Sequence, residues 1–386
     1  MQEQALRSIT MTMSSKITLR FLLLAFASSL LFSTGRVHGR AARPCRIDAI
    51  YQFGDSTSDT GNLIRIVGPN GFGAQAARLP YGETLGKPTG RFSDGRLIVD
   101  YFAMALGLPL VNPSLGKNLS FEHGVNFAVA GSTVLNSSFY AARNVTVPAS
   151  DVPLRLQLNW FRSYLNSTCG SQDECGKNLK RSLVIVGEMG SNDFLYSFLQ
   201  GKSIPEVMTY VPPLVEETIT VTRELIKLGA SKVVVFGDFA IGCSPIYLTS
   251  FKSNDSNAYD DEGCLKAYNA FSQFRNTNVQ VALAKLRREF PHATILYGDY
   301  YNGYEYVLRR ASYLGFDPKS ALKACCGTGG SYNFNFTRMC GSTGITACPN
   351  PNEFISWDGV HLTQAAHRRI TEYNINKIFP ELSCAT

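Results

Sequence analysis

The chain has few long apolar runs. The one that stands out, Phe21 to Phe32, covers 12 residues, against roughly 20 for a helix that crosses a bilayer. A polytopic membrane protein is excluded. Charged residues are also sparse, 17% against 45% apolar, which excludes a disordered tail and supports a sizeable core. No collagen or coiled-coil pattern, internal repeat, low-complexity tract or interdomain linker is present. The formal charge of +7 is not gathered into a dense basic cluster, so nucleic acid is a poor partner. Cysteine is plentiful, but no Cys-x2-Cys pair meets a second such pair or two nearby histidines, which argues against zinc. Histidine is scarce, with five in 386 residues, so few groups can serve as an imidazole base.

What is present begins with the N-terminus. Arg7, Lys16 and Arg20 precede the apolar run, and the small-residue exit Val37-His38-Gly39 follows it. Basic, then apolar, then small is the order of a secretory signal peptide. Residues 1–39 are therefore expected to be removed, leaving 40–386 in the secretory pathway with no stable membrane insertion. Their loss lowers the basic count from 37 to 33 and the acidic count from 30 to 29. All ten cysteines lie beyond the cut, as in a disulfide framework. Natural local pairs are Cys169 with Cys175 and Cys243 with Cys264. Cys325 and Cys326 are expected to bond Cys340 and Cys348 in some order, leaving Cys45 and Cys384 to tie the ends. Six Asn-x-Ser/Thr sequons, at Asn118, Asn136, Asn144, Asn166, Asn254 and Asn335, predict a glycosylated protein.

Five apolar runs read as strands: 47–53, 124–130, 183–187, 232–236 and 294–297. Helix-length segments fall at about 95–106, 153–165, 205–229, 261–289 and 362–378. Alternating strands and helices, with near-continuous apolar strands, predict a parallel sheet covered on both faces. Ligands of such sheets sit beyond the carboxyl ends of the strands. There the chain places Asp55 to Asn62, Gly131-Ser132, Glu188 to Asp193 and Gly237-Asp238, and Asp358 to His361 precede the last helix.

A serine hydroxyl is a poor nucleophile until a neighbouring imidazole takes its proton. His38 lies in the signal peptide, His123 opens a strand, His292 follows Pro291 and His367 lies inside the last helix. His361 is the best placed, on a loop before a helix. Asp358 can hold its other nitrogen, and Gly359 permits the tight turn. An oxyanion needs donors. Gly131 offers an unobstructed N–H and Asn192 a side-chain amide. Taken alone, each of these is explained as well by turn and cap chemistry. Their gathering on one rim of one sheet is the signal.

Phe53-Gly-Asp-Ser-Thr-Ser-Asp-Thr-Gly-Asn62 resembles the first block of the plant GDSL esterase/lipases, members of the SGNH hydrolases. Gly124 to Gly131, Gly190-Ser-Asn-Asp193 and Asp358-Gly-Val-His361 resemble their second, third and fifth blocks. The resemblance implies a three-layer α/β/α sandwich of the flavodoxin-like kind, with a five-stranded, mostly parallel sheet. Residues 40–386 then form a single hydrolase domain. It implies Ser56 as nucleophile, His361 as base, Asp358 as its partner, and an oxyanion hole from Ser56, Gly131 and Asn192. The reaction would use a small-molecule ester, no cofactor and no metal, in a monomer sent to the extracellular space, cell wall or vacuole. Thr57 departs from the family, which has leucine there. Pro80 to Thr84, Gly90 to Arg96, Cys325 to Gly330 and Trp357 are similar to a plant subgroup that includes an alkaloid acetylesterase. This implies a short-acyl, specialised-metabolite ester. An acyltransferase with the same triad, a long-chain lipase, a non-enzymatic binder and a metal phosphoesterase using Asp55, Asp59 and Asp193 are the competing readings.

Overall fold

The computed structural model describes residues 46–71, 73–148 and 151–382. The expected signal peptide and the Cys45–Cys384 bridge lie outside these residues. The apolar runs become five strands: β1 Ala49–Phe53, β2 Gly124–Asn126, β3 Ser182–Val186, β4 Lys232–Phe236 and β5 Thr294–Gly298. They pair in the order β2-β1-β3-β4-β5, and every pairing is parallel. All residues of β1, β3 and β4 are buried, as expected of a sheet covered on both faces.

The covering helices fall into two groups. In one, α2 Leu154–Thr168, α4 Val211–Lys227 and α5 Lys266–Glu289 pack together. In the other, α1 Ile98–Ala105, α6 Tyr300–Arg309 and α7 Gln364–Glu381 do so. The architecture is the three-layer α/β/α sandwich. The strand order reverses direction at β1, between β2 and β3, and crevices at such switch points are where ligands bind in open α/β sheets.

Three local expectations change. The second strand stops at Asn126 rather than Ala130, because the Asn126 Oδ1 takes the Ala128 N–H at 2.8 Å. Even so, the N–H groups of Phe127 and Val129 still donate to the Gln52 and Gly54 carbonyls of the β1 side. The segment 205–229 is two helices, Ile204–Met208 and α4. Pro212 and Pro213 open α4, since proline lacks an N–H and disfavours helix in the residue before it. Helix α3 Ser191–Leu199 and helix α6 lie outside the helix-length segments read from the sequence.

Four disulfides are present among the described residues. Cys169–Cys175 and Cys243–Cys264 are the local pairs, and the open alternative resolves as Cys325–Cys348 and Cys326–Cys340. All six sequon asparagines are exposed.

Candidate active site

The chain leaves β1 through Gly54. A Cβ there would lie 2.3 Å from Ser58 Oγ and 2.6 Å from the Gly187 carbonyl, so only glycine fits. Gln157 of α2 clamps both sides of this residue. Its Oε1 accepts the Gly54 N–H at 3.0 Å and its Nε2 donates to the Gly54 carbonyl at 2.8 Å. Next comes Ser56, at the rim. Asp59 turns the chain into the following short helix by accepting N–H bonds from Gly61, Asn62 and Leu63, and a fourth from Ala130. The Asn62 amide donates to the Asn126 and Ala128 carbonyls, and the Asn126 amide to Ser58. The segments after β1 and β2 are thereby stitched together, and Ala130, the residue before Gly131, is bonded to Asp59 of the Ser56 loop, although Gly131 itself does not line the pocket that Ser56 shares with His361.

Asn192 lies in the first turn of α3, where its Nδ2 donates to the Ser132 carbonyl at 2.9 Å and lies 3.5 Å from Asp55 Oδ2. Asp193 is turned away, accepting the Val134 N–H and the Tyr140 hydroxyl. Neither the Ser56 nor the Gly131 N–H donates to a protein acceptor among the described residues, so both remain available to an oxyanion.

Opposite them is the turn Asp358 to His361. Gly359 adopts φ +93, and a Cβ there would meet the Phe334 ring at 2.2 Å. The Asp358 Oδ1 accepts the N–H groups of Val360 and His361 at 2.9 and 2.7 Å, and its Oδ2 lies 2.7 Å from His361 Nδ1. Burial works against the Asp358 charge, but the neighbouring imidazole and these hydrogen bonds hold its carboxyl below the usual carboxylate range. The pair therefore stays poised to stabilise an imidazolium. The other imidazole nitrogen, Nε2, is buried without a hydrogen-bond partner among the described residues. Ser56, Asn192 and His361 line one pocket of about 30 Å³, walled by Leu195, Phe239, Ile241, Ile246, Tyr247 and Val360. No Ser56–His361 hydrogen bond is formed; such bonds tighten when substrate fills the site.

The other described histidines do other things. His123 Nδ1 contacts the Asp48 carbonyl at 3.0 Å, and His292 packs on Phe290. His367 is fully buried, and burial followed by the nearby His361 pushes it down to about 3. The three carboxylates considered as metal ligands are each engaged by donors of the protein: Asp55 by Thr57, Asp59 by four N–H groups, and Asp193 by Val134 and Tyr140.

Two contributors were not recognised in the sequence. Tyr81 donates to Asp358 Oδ2 at 2.8 Å. Burial and Asp358 push its phenol well above the usual range, so it donates at any working pH. The Phe92 ring packs 4.9 Å from that of His361. Both lie in segments noted only for their resemblance to a subgroup. Thr57, where the family has leucine, puts its hydroxyl 2.8 Å from Asp55 Oδ1.

Residues 50–374 match the family described as GDSL-like Lipase/Acylhydrolase. The chain belongs to that family. It is 51% identical over 343 residues to acetylajmalan esterase 2 of Rauvolfia serpentina, covering 88% of this chain and 93% of that one. Acetylajmalan esterase of the same plant is 50% identical over 364 residues, 94% and 93% of the two chains. Sinapine esterase of Brassica napus is 40% identical over 355 residues, 90% and 91%. This GDSL protein is accordingly a carboxylic ester hydrolase acting on small-molecule esters. No helix among the described residues is long and apolar enough to cross a membrane.

Proposed function

We propose that this hydrolase works by an acyl-enzyme route, with Ser56 as nucleophile, His361 as general base and Asp358 as its orienting partner. The observation that carries this reading is the His361 imidazole, held by Asp358 on one nitrogen and unbonded on the other, in the pocket that Ser56 shares. Attack by Ser56 Oγ on the ester carbonyl sends the serine proton to His361 and negative charge to the carbonyl oxygen. The N–H groups of Ser56 and Gly131 and the Asn192 amide stabilise that charge. His361 then protonates the leaving alcohol, and water, activated by the same imidazole, releases the acid.

The substrate is a short-acyl ester, in the first instance an acetate, of a specialised metabolite such as an alkaloid. The narrow pocket lined by Ser56, Asn192 and His361, with aliphatic and aromatic walls, suits a small acyl group. The names of the relatives at about half identity point the same way. The mature chain, 40–386, is one hydrolase domain that enters the secretory pathway and carries glycans on the exposed sequons.

The test is kcat/KM across acetyl, butyryl and oleoyl esters of one alcohol. Acetyl should lead and oleoyl trail. A preference for oleoyl that rises at an oil–water interface would restore the lipase reading. Product analysis with an added alcohol acceptor separates hydrolysis from acyl transfer.

A further inference from the structure

Glu188 follows β3 with φ +56, a left-handed conformation that long side chains rarely adopt. In this conformation its carbonyl accepts the Asp55 N–H at 3.3 Å and the Thr57 hydroxyl at 3.2 Å. The side chain is buried, its Oε2 has no hydrogen-bond partner among the described residues, and its carboxyl feels the Asp55 charge and the Ser58 and Thr57 hydroxyls. We propose that Glu188 is a positioning residue of the esterase site, holding the nucleophile-bearing loop against the end of β3 through both its carbonyl and its carboxyl. The proposal rests on the reading of Ser56 as nucleophile.

Backbone strain of this kind persists only where the surroundings enforce it. Glycine would take the same φ without strain, so the backbone alone does not explain a glutamate here. The side chain does. Two buried carboxyls side by side do not both ionise readily. Asp55 receives the Thr57 N–H and hydroxyl and faces His361, and burial still pushes it up to about 6. Burial and the Asp55 charge push Glu188 well above the usual range. Around this pair stand Tyr300, facing both acids from α6, Asp238, facing Asp55 from the end of β4, and Tyr196, facing Asp55 from α3. None of these three brings a positive charge, so nothing among them offsets the burial and the Asp55 charge that keep the proton on Glu188. Glu188 is then a neutral acid, and its buried, unpartnered Oε2 is the atom from which an O–H would be donated toward the loop that carries Ser56.

The experiment compares wild type, Glu188→Gln, Glu188→Gly and Ser56→Ala on p-nitrophenyl acetate across pH, with thermal midpoints and amide hydrogen exchange of residues 54–58. Glu188→Gly should keep or raise the midpoint, because the strain is gone. It should lose about tenfold or more in kcat with KM within about threefold, as expected of a misplaced nucleophile, and its loop amides should exchange faster. Glu188→Gln copies the neutral acid, so kcat at neutral pH should stay within about threefold of wild type. Wild-type kcat should decline on the alkaline side as Glu188 ionises, and the glutamine variant should lack that decline. Wild-type kcat and exchange in Glu188→Gly overturn the proposal. So does a Glu188→Gln variant as impaired as Glu188→Gly, or one with the wild-type pH profile. If the glycine variant does not fold, the glutamine profile decides. Activity in Ser56→Ala removes the nucleophile reading alone, and the exchange rates still judge the clamp.

Discussion

The two halves of the candidate site are held by different means. On the side of the proposed nucleophile, residues 53–62 are fastened by hydrogen bonds to buried polar groups: Gln157 on Gly54, the Glu188 carbonyl on Asp55 and Thr57, and Asp59 on four N–H groups. On the side of the proposed base, Asp358 to His361 hang from a segment with little regular structure. There the Cys325 N–H donates to the Ser356 carbonyl at 3.0 Å and the Cys326 N–H to Trp357 at 2.7 Å. Cys325–Cys348 and Cys326–Cys340 tie those donors down. The sheet supplies rigid, short-range anchors at the ends of its strands. The loop at Asp358, 60 residues past the end of β5, lacks those strand-end anchors, and hydrogen bonds from disulfide-tied donors take their place.

Four changes sharpen or break this contrast. The largest effect is on chemistry. Ser56→Ala should lower kcat by ~10⁴–10⁶ while leaving the fold and both fastenings intact, since loss of a triad member typically costs that much. A purified variant that hydrolyses p-nitrophenyl acetate at near wild-type kcat would end the assignment.

Next comes the covalent fastening. Replacing Cys326 and Cys340 together by serine should destabilise the protein by about 2–4 kcal/mol, read as a lowered denaturation midpoint. Activity should fall below what the folded fraction explains, because the Trp357 carbonyl next to Asp358 loses a fixed donor. Unchanged stability and activity would show that hydrogen bonds alone suffice on the base side.

Asn192→Ala should reduce kcat by roughly 10²-fold with a smaller change in KM, as an oxyanion donor acts mainly in the transition state. An effect confined to KM would place the amide in ground-state binding instead.

The smallest effect concerns pH. Asp94 Oδ1 accepts the Gln364 N–H at 2.7 Å, fixing the helix that follows His361, while Oδ2 has no partner among the described residues. Burial pushes its carboxyl up to about 6, above the ~3.9 of an unfolded chain. The folded state therefore binds this proton more tightly, and Asp94 costs stability as pH rises from ~4 through ~6. Asp94→Asn keeps the acceptor and removes the charge. It should gain on the order of 1–2 kcal/mol at pH 7 and nothing below pH ~4. A variant less stable than wild type at pH 7 would show that the charge on the helix start outweighs burial.

The sequence alone was sufficient for the elements whose cause is local. The strands at Ala49–Phe53, Ser182–Val186, Lys232–Phe236 and Thr294–Gly298 follow from short β-branched and aromatic runs bounded by glycine. The positions of Ser56, Gly131, Asn192 and the Asp358 turn at strand or loop ends were likewise legible, because the residues that follow a parallel strand come out on one rim whatever the packing. The short disulfides were readable from spacing.

Tertiary structure decided the rest. Nothing near Tyr81 in the chain indicates that it serves Asp358, 277 positions away. Gln157 reads as an ordinary helix residue until its amide meets Gly54. The left-handed Glu188 is invisible in a sequence that offers Gly187 just before it and Gly190 two residues after it as natural places for such a turn. The pairing of Cys325 and Cys326 had two equally acceptable answers until the fold brought each beside its partner. Propensity and periodicity report on interactions within a few residues. These features arise from contacts that exist only when the layers close, where burial makes one hydrogen-bond partner or one buried charge decisive.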